Sequence, residues 1–282
     1  MRIGIAGLGR MGTAMVTRLV ATGHSPVGWN RSPRPIEGVR EVDSLAQLTS
    51  YCDVVITSLH DGAAVESVYL GLNGLCQSDL RGKLLIDVST VTPQISRRVC
   101  THVIERGGSF ADAPVLGTIG PCLRGELIAM VGASDRTFGE ASTALKPLTR
   151  AVHHLGPVGA GNAAKLAVNL VMGGYWASLR DALKLASAFS IDQRQLLDII
   201  ASGPAALAQL ASKRPILEGE QRPVEFSVSG YIKDLKTILE AAGPQLPLAT
   251  VIGALSNYEE ALVAGLGASD VVAVALLNHT KH

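Results

Sequence analysis

The chain has 282 residues and a formal net charge of +1, which argues against nucleic acid as the main partner because nucleic-acid-binding domains are usually basic. Hydrophobic residues make up 47% of the chain, so the low hydrophobicity and high net charge of disordered proteins are both absent. Only 17% of the residues are charged, and the length favours two domains over one large domain.

Short β-branched runs alternate with helical stretches through the first half of the chain. The first strand, residues 3–6, runs into glycines, and the helical pattern that follows ends at Gly23. Further strands are predicted over residues 26–29, 53–58, 83–89, 109–112, 127–131 and 152–155. Since several of these runs are apolar throughout, we expect them to be buried on both faces, as in a parallel sheet. The pattern predicts a Rossmann-type, doubly wound α/β fold.

The pattern changes at the Gly/Pro-rich segment 156–161, after which strand-like runs nearly vanish. An unusually long helix is predicted over residues 163–189. Further helices, separated by Gly, Pro or Ser, are predicted over residues 192–202, 204–213, 230–242, 247–265 and 269–279. The predicted organisation is a Rossmann domain over residues 1–160, an interdomain helix over 161–190 and an all-α C-terminal domain over 191–282.

The N-terminus and the cysteines favour a cytoplasmic protein that binds no membrane. The start, M-R-I-G-I-A-G, lacks the apolar run of a secretory signal, and no stretch of about 18 uncharged apolar residues is present. The four cysteines form no C-x-x-C pair and the seven histidines are scattered, so we expect reduced thiols and no metal site.

A glycine-rich loop, G-L-G-R-M-G, follows the first predicted strand and opens the first helix. In this context the first glycine permits a tight turn, the second lets the backbone approach a pyrophosphate, and the third allows close helix–strand packing. The helix N-terminus adds N–H groups and partial positive charge for the phosphates. The loop therefore predicts a dinucleotide site. Its predicted cofactor-binding residues are Gly7, Leu8, Gly9, Arg10, Met11 and Gly12.

The end of the second strand bears on which dinucleotide binds. A domain that prefers NAD places a carboxylate about 20 residues after the glycine loop, to bind the ribose 2′-OH. Here Asn30 stands in that region, followed by Arg31 and Ser32. An arginine can clamp a phosphate, so this segment favours NADP(H), with NAD(H) as the alternative cofactor.

The predicted long helix carries a lysine and an asparagine four residues apart, Lys165 and Asn169. Residues at this spacing share one face of a helix. The neighbours of Lys165 are apolar or small, and burial lowers the pKa of a lysine toward the range that acid/base catalysis requires. The pair is a candidate catalytic centre.

Four motifs occur in order along the chain: the glycine loop 7–12, D-A-P-V-L-G-T at 112–118, G-A-G at 159–161 with Lys165 and Asn169, and K-D-L at 233–235. With these motifs the chain resembles, over essentially its whole length, the β-hydroxyacid dehydrogenase family. That family includes 3-hydroxyisobutyrate dehydrogenases and glyoxylate/succinic semialdehyde reductases, and it is related to imine reductases.

The resemblance implies an NADP-dependent oxidoreductase that interconverts a small β-hydroxyacid and its aldehyde or keto acid by hydride transfer. Lys165 would be the general acid/base, and Asn169 would hold the substrate oxygen or orient the lysine. Lys233 would close over the cofactor, and Asp234 would hold Lys233 in place. The remaining implied contacts are Ser58, Leu59 and Thr90 for the cofactor, and Leu116, Gly117 and Thr118 for the substrate.

One position departs from the family pattern. Relatives in the 3-hydroxyisobutyrate dehydrogenase group usually have a serine where this chain has Leu116. Losing a buried hydroxyl donor weakens the binding of an anion or a hydroxyl group. The departure leaves an imine reductase as a second hypothesis, although that group generally lacks the lysine found here at Lys165. A non-catalytic cofactor-binding interaction module is the third.

The expected partners are a small-molecule substrate and a second copy of the chain. The long Ala/Gly-containing helix and the apolar C-terminal helices make a homodimer through the C-terminal helical domain the expected assembly, and the resemblance points the same way.

Overall fold

Six parallel strands run through the first half of the chain in the computed structural model, which describes residues 1–277. They lie in the order β3-β2-β1-β4-β5-β6, so the strand order reverses between β1 and β4. Open α/β sheets bind ligands outside the carboxyl ends of the strands at such a reversal. The strands are β1 (Ile3–Ala6), β2 (Val27–Trp29), β3 (Arg40–Glu41), β4 (Val54–Thr57), β5 (Leu84–Asp87) and β6 (Ser109–Asp112).

Apolar clusters cover both faces of this sheet, which confirms the expectation from the continuous apolar runs. Along β1, Ile5 joins one cluster and Ala6 joins the other, as successive side chains of a strand point to opposite faces. The helices between the strands begin at side-chain caps in three cases, Ser44, Asp61 and Thr92. These helices are α1 (Arg10–Ala21), α2 (Leu45–Tyr51), α3 (Gly62–Leu70) and α4 (Pro93–Glu105).

A second, three-stranded sheet follows, in the order β7-β8-β9. Its β7 and β8 are antiparallel, whereas β8 and β9 are parallel. The sequence pattern did not predict β3 or β7, because a strand of two residues has no measurable periodicity. The elements are β7 (Val115–Leu116), α5 (Ile119–Arg124), β8 (Leu127–Val131), α6 (Asp135–Leu145) and β9 (Thr149–His154).

The chain divides into two compact units, Met1–Leu166 and the part from Ala167 onward. The long helix α7, Ala160–Ala188, contains the division. The three-part division predicted from the sequence, at residues 160 and 190, stays a prediction.

The second unit is helical within the described residues. Its large buried side chains include Trp176, Tyr231 and Tyr258, and the fully buried Arg180 donates hydrogen bonds to Asn257 at 2.7 Å and to Glu260. After α7 the α-helices are α8 (Gln193–Ser202), α9 (Leu210–Leu217), α10 (Val228–Ala242) and α11 (Ala249–Ala261). None of the helices in residues 1–277 has the length and apolar character that crossing a membrane requires.

Three helix predictions in this unit need correction. The helix predicted over residues 204–213 is wrong in its first half: Gly203 and Pro204 open a turn, where Tyr175 accepts a hydrogen bond from the Leu207 N–H at 3.4 Å. The helix predicted over 247–265 ends as an α-helix at Ala261, before a π-helical turn. The segment predicted over 269–279 is a 3-10 helix over Val271–Leu276, and residues 278 and 279 lie outside the described residues.

Candidate functional site

The glycine loop has the geometry that its sequence predicts. Gly7 adopts φ +95°, in the left-handed region that favours glycine, and a Cβ at Gly12 would lie 1.9 Å from the Gly7 carbonyl oxygen. A Cβ at Gly9 would meet no protein atom within 4 Å. Gly9 is also the N-cap of α1 and has no side chain to occupy the first N–H groups of the helix. The loop therefore has the shape that a pyrophosphate site requires, with one glycine for the turn, one for packing and one that leaves open space in front of the backbone. Arg10 and Met11 form the first turn of α1.

Asn30 holds this loop from the neighbouring strand. It follows β2, and its Oδ1 accepts a hydrogen bond from the Leu8 N–H at 3.0 Å. Its Nδ2 donates to the Ser32 carbonyl oxygen at 2.9 Å. Asn30 therefore fixes the path of the glycine loop and of its own loop, while Arg31 and Ser32 are exposed beside it. This structural role of Asn30 was not predicted from the sequence.

A buried carboxylate supports the next predicted cofactor segment. Asp87, the last residue of β5, accepts hydrogen bonds through Oδ1 from the Thr57 and Ser89 hydroxyls, at 2.7 Å and 2.6 Å. The Ser89 hydroxyl in turn accepts a hydrogen bond from the Leu59 N–H at 2.9 Å. Asp87 thereby fixes the backbone of Ser58 and Leu59, which we predicted to line the cofactor cleft. Burial raises the pKa of Asp87 above its usual range.

The predicted substrate residues lie on one short stretch of the first unit. Leu116 is half-buried in β7, Gly117 adopts φ +116°, and Thr118 precedes the first residue of α5. A Cβ at Gly117 would lie 2.7 Å from a methyl carbon of Leu127. The glycine is thus required both by its backbone conformation and by close packing, and it is the exposed residue of the stretch.

Asp112, which ends β6 and opens the D-A-P-V motif, anchors the start of α7. Its Oδ1 accepts a hydrogen bond from the Gly159 N–H and its Oδ2 from the Asn162 N–H, each at 2.7 Å. Lys165, half-buried, follows Asn162 by three residues on the same helix. The sequence placed Asp112 in a motif but did not predict this contact, because it joins residues about fifty positions apart.

Burial raises the pKa of Asp112 to about 6, although the two N–H groups favour its charged form. Between the usual carboxyl pKa and this value, the folded protein keeps a proton that the unfolded chain has released. The free energy of unfolding therefore falls as the pH rises through this window.

We expect this carboxyl group to make the wild-type protein about 1 kcal/mol more stable at pH 5 than at pH 7. Asp112→Asn removes the titrating group, so the variant should lack this increment while keeping that of Asp87. Chemical denaturation of both proteins at the two pH values measures the difference. An equal pH dependence in the two proteins would contradict the assignment.

The second unit holds the remaining predicted residues in one buried cluster. The Asn169 side chain is buried, and its Nδ2 donates to Asp234 Oδ2 at 2.7 Å. The Tyr231 hydroxyl donates to the Asn169 carbonyl oxygen, and Lys233 Nζ lies 2.5 Å from Asp234 Oδ1. Asp234 thus contacts Lys233, as the resemblance implied, and also fixes the amide of Asn169, which sequence reasoning missed.

This contact decides which end of the Asn169 amide is available. Because the Asn169 nitrogen donates to Asp234, the Asn169 oxygen points away, and it has no hydrogen-bond partner among the described residues. Asn169 therefore presents a hydrogen-bond acceptor, which suits a hydroxyl donor.

Thr90 lies after β5, and its neighbour Val91 donates its N–H to the Asn162 side chain at 3.1 Å. Within residues 1–277, no three His, Cys, Asp or Glu side chains are grouped so that they could hold a metal ion. The fold and the glycine loop together define a dinucleotide-binding protein with a Rossmann-type unit.

Comparison with known families gives the same class. The family described as the NAD binding domain of 6-phosphogluconate dehydrogenase matches residues 2–156. The family described as NAD-binding of NADP-dependent 3-hydroxyisobutyrate dehydrogenase matches residues 159–277. The chain therefore belongs to the 3-hydroxyisobutyrate dehydrogenase family of NAD(P)-dependent oxidoreductases.

Two curated relatives cover the chain almost completely. Glyoxylate/succinic semialdehyde reductase 1 of Arabidopsis thaliana is 30% identical over 281 residues, which are 97% of either chain. The cytokine-like nuclear factor N-PAC of Mus musculus is 32% identical over 278 residues, which are 97% of this chain and 50% of that protein. The chain spans about half the length of N-PAC.

Solved structures agree with the fold. The 3-hydroxyisobutyrate dehydrogenase of Mycobacterium tuberculosis, solved with L-serine, superposes with a TM-score of 0.87 at 26% identity, covering 99% of this chain and all of that chain. A reductive aminase of Aspergillus terreus in complex with NADPH and ethyl levulinate has a TM-score of 0.64 at 22% identity and covers 97% of both chains. At that identity the second match shows a common fold and nothing more.

Proposed function

We propose that the protein is an NADP-dependent oxidoreductase that interconverts a small β-hydroxyacid and its aldehyde or keto acid. The observation that carries this proposal is the anchoring of α7 by Asp112. Asp112 is the first residue of the motif that contains the predicted substrate residues, and its hydrogen bonds connect this motif to the start of the helix that bears Lys165. The names of the Arabidopsis and mycobacterial relatives support the same substrate class.

In this proposal bound NADPH supplies the hydride for the carbonyl carbon. Lys165 donates a proton to the carbonyl oxygen during reduction and accepts it from the alcohol during oxidation. Asn169, oriented by Asp234, accepts a hydrogen bond from the substrate hydroxyl. Gly117 and Thr118 donate to the acid group, and this binding orients the carbonyl for attack.

A spectrophotometric screen that follows NADPH and NADH with small aldehyde-acids, alcohol-acids and cyclic imines tests the proposal. We expect turnover with an aldehyde-acid or alcohol-acid to exceed turnover with the imines. Oxidation or reduction of none of the acids would contradict the proposed function.

The preference for NADP(H) is part of the proposal and depends on Arg31, which is exposed next to the loop that Asn30 fixes. A charge-assisted hydrogen bond contributes about 1.5–3 kcal/mol, so Arg31→Ala should weaken NADPH binding by about 10- to 100-fold. NADH lacks the 2′-phosphate, and its dissociation constant should stay unchanged. Fluorescence titration with both cofactors measures the two constants.

Arg81→Ala is a suitable control for this experiment. Arg81 is also exposed, but it pairs with Asp79 at 2.6 Å in the loop before β5. This variant should bind both cofactors as the wild type does. Equal weakening of NADPH and NADH binding in Arg31→Ala would contradict a 2′-phosphate contact.

Imine reduction is the second candidate function, and Leu116 favours it. The leucine is half-buried where a serine hydroxyl would otherwise donate to an acid group, so it adds apolar surface to the substrate stretch. Faster turnover of a cyclic imine than of any aldehyde-acid in the screen would make this the better assignment.

We also propose that the protein acts as a homodimer through the C-terminal helical domain and resides in the cytoplasm. Large apolar side chains are exposed on the second unit, among them Phe189 at 73%, Ile199 at 64% and Val263 at 89%. Apolar side chains that protrude into solvent are available for burial in an interface between subunits. A single species of monomer mass in analytical ultracentrifugation would contradict the dimer.

The proposed cytoplasmic location is supported by the four cysteines, which are free thiols, in keeping with a reducing compartment.

A further inference from the structure

The contact between Asp112 and the start of α7 has features that helix capping alone does not require. The first N–H groups of an α-helix lack partners within the helix, and a nearby serine or aspartate usually caps them. Here the cap comes from Asp112, a fully buried residue at the end of β6, and it engages two N–H groups with its two oxygens.

Glycines provide the space for this carboxylate. A Cβ at Gly132 would lie 2.4 Å from Asp112 Oδ1, and a Cβ at Gly161 would lie 2.9 Å from Asp112 Oδ2. Gly159, which donates one of the two hydrogen bonds, adopts φ +96°. A side chain at Gly132 or Gly161 would displace the carboxylate. The two glycines also allow close approach of the backbone, since a Cβ at Gly161 would lie 2.3 Å from the Met130 carbonyl oxygen, so the carboxylate is enclosed in tightly packed main chain.

Burial of the carboxylate works against stability. Its raised pKa means that the charged form is disfavoured in the fold, in spite of the two hydrogen bonds. Buried ionisable groups that are kept at such a cost are concentrated at functional sites. A contribution to stability does not account for Asp112, whereas a requirement for precise geometry does.

Asn162 connects the same helical turn to a second segment. It is fully buried, its Oδ1 accepts the Val91 N–H at 3.1 Å, and its Nδ2 donates to the Ser96 hydroxyl at 3.0 Å. Val91 follows Thr90, which the resemblance implies to be a cofactor contact. The first turn of α7 is thus tied to the segment of Thr90 as well as to β6.

We propose that Asp112 is a positioning residue, which fixes the first turn of α7 so that Lys165 is held at a set distance from the substrate stretch, Leu116 to Thr118, that follows Asp112 in the same motif. This inference depends on the proposed function, because it assigns the purpose of the contact to proton transfer by Lys165. Asp112 itself does not exchange a proton with the substrate.

Asp112→Asn is the decisive variant, since it keeps the shape of the side chain. The two N–H groups bond to different oxygens of Asp112, and asparagine replaces one of these oxygens by an NH2 group, so one backbone N–H then faces a second donor. The turn should shift, and a displacement of about 1 Å at a catalytic group can lower kcat by about 100-fold. The dissociation constant of NADPH should change little, because the glycine loop contacts neither Asp112 nor α7 in the hydrogen bonds described above, and only the Thr90 segment is tied to this turn, through Asn162.

Asp192→Asn is the matched control. Asp192 caps α8 in the second unit, where a single oxygen accepts the N–H groups of Arg194 and Gln195, at 2.9 Å and 3.1 Å. An asparagine keeps that acceptor, so the control removes a negative charge at a helix N-terminus without removing the cap. Its kcat should equal that of the wild type.

Hydrogen–deuterium exchange provides a readout that does not depend on turnover. In Asp112→Asn we expect faster exchange in residues 157–167, with wild-type exchange in the rest of the sheet. A lower kcat with an unchanged NADPH constant and this local change would support the inference. Wild-type kcat would overturn it, and so would loss of NADPH binding with faster exchange throughout the unit, which indicates a general structural role.

The same experiments distinguish failure of the proposed function from failure of the positioning role of Asp112. If the wild-type protein turns over none of the carbonyl acids, the role of Asp112 in catalysis fails with it, and faster exchange in residues 157–167 then shows a structural cap alone. If the wild-type protein is active, kcat of Asp112→Asn decides between positioning and capping.

Discussion

Lys165→Met is expected to lower kcat for the reduction of an aldehyde-acid by about 100- to 10,000-fold, the range that a single general acid contributes. Methionine keeps the length and much of the apolar volume of lysine but carries no proton to donate. Lys165 is half-buried on the second turn of α7, and the turn before it is held by Asp112 and Asn162. The helix should therefore stay in place in the variant, so that the loss falls on the chemical step.

The measurement is steady-state kinetics together with a titration of NADPH. We expect the dissociation constant of NADPH to remain that of the wild type, because removal of a group that acts in the transition state changes kcat rather than cofactor binding. Lys184→Met is the control: Lys184 is a half-buried lysine on the same helix, in the second unit, and it is not part of the candidate site. Its kcat should be unchanged.

This experiment also separates an enzyme from a cofactor-binding interaction module. The relative N-PAC is named as a nuclear factor and not as an oxidoreductase, so turnover by this chain has to be tested directly. A module of that kind predicts that Lys165→Met binds NADPH and behaves in every other assay as the wild type does. Unchanged turnover in Lys165→Met would contradict the proposed mechanism even if the protein proves to be an oxidoreductase.

Buried carboxylates hold the predicted functional segments in place. Asp87 fixes the backbone of Leu59 through Ser89, Asp112 fixes the start of the helix that bears Lys165, and Asp234 orients the amide of Asn169. Each of these carboxylates is buried, and each acts on a group that is distant in sequence or on another element. The site therefore depends on a set of supporting residues that the motifs do not reveal by themselves.

The sequence was sufficient for features that local patterns determine. Five of the six parallel strands, and a doubly wound sheet built from them, could be predicted because apolar runs, glycines and helical spacing repeat within short windows. The glycine loop was recognised from its place between β1 and α1. By contrast, the two-residue strands β3 and β7 carry no periodicity and were not predicted. The prediction of a helix over 204–213 missed the turn before Leu210, where the Leu207 N–H donates to the hydroxyl of Tyr175, a residue distant in sequence.

The supporting residues could not be predicted for a related reason. Whether Asp112 meets Gly159 and Asn162 depends on which strand lies next to the start of α7, and no local pattern encodes that arrangement. Asn30 is an instructive intermediate case. Its position after β2 indicated the ribose site, but its bond to the Leu8 N–H follows only from the side-by-side packing of β1 and β2.

Two alanine substitutions in the glycine loop are expected to differ in their effect on folding, although both weaken NADPH binding. In Gly12→Ala the new Cβ would lie 1.9 Å from the Gly7 carbonyl oxygen, so the backbone of the turn has to move. Overpacking of this kind costs about 1–3 kcal/mol, and we expect a lower melting temperature as well as weaker NADPH binding. In Gly9→Ala the Cβ meets no protein atom within 4 Å, and φ of −65° is accessible to alanine, so the melting temperature should not fall.

Gly9→Ala should still weaken NADPH binding, because the second glycine of the loop lets the backbone approach the pyrophosphate. In this variant the new methyl group would clash with the bound cofactor and not with the protein. If the clash costs about 1–3 kcal/mol, as overpacking does, the affinity for NADPH drops by about 10- to 100-fold. Gly139→Ala in α6 is the control, since a Cβ there also meets no protein atom within 4 Å. It should leave the NADPH constant unchanged and raise the melting temperature slightly, because alanine is more favourable than glycine inside a helix. Thermal unfolding without and with NADPH measures both effects.

Wild-type affinity in Gly9→Ala would show that the pyrophosphate does not pass over Gly9. The cofactor would then have to be placed elsewhere along the carboxyl ends of the strands.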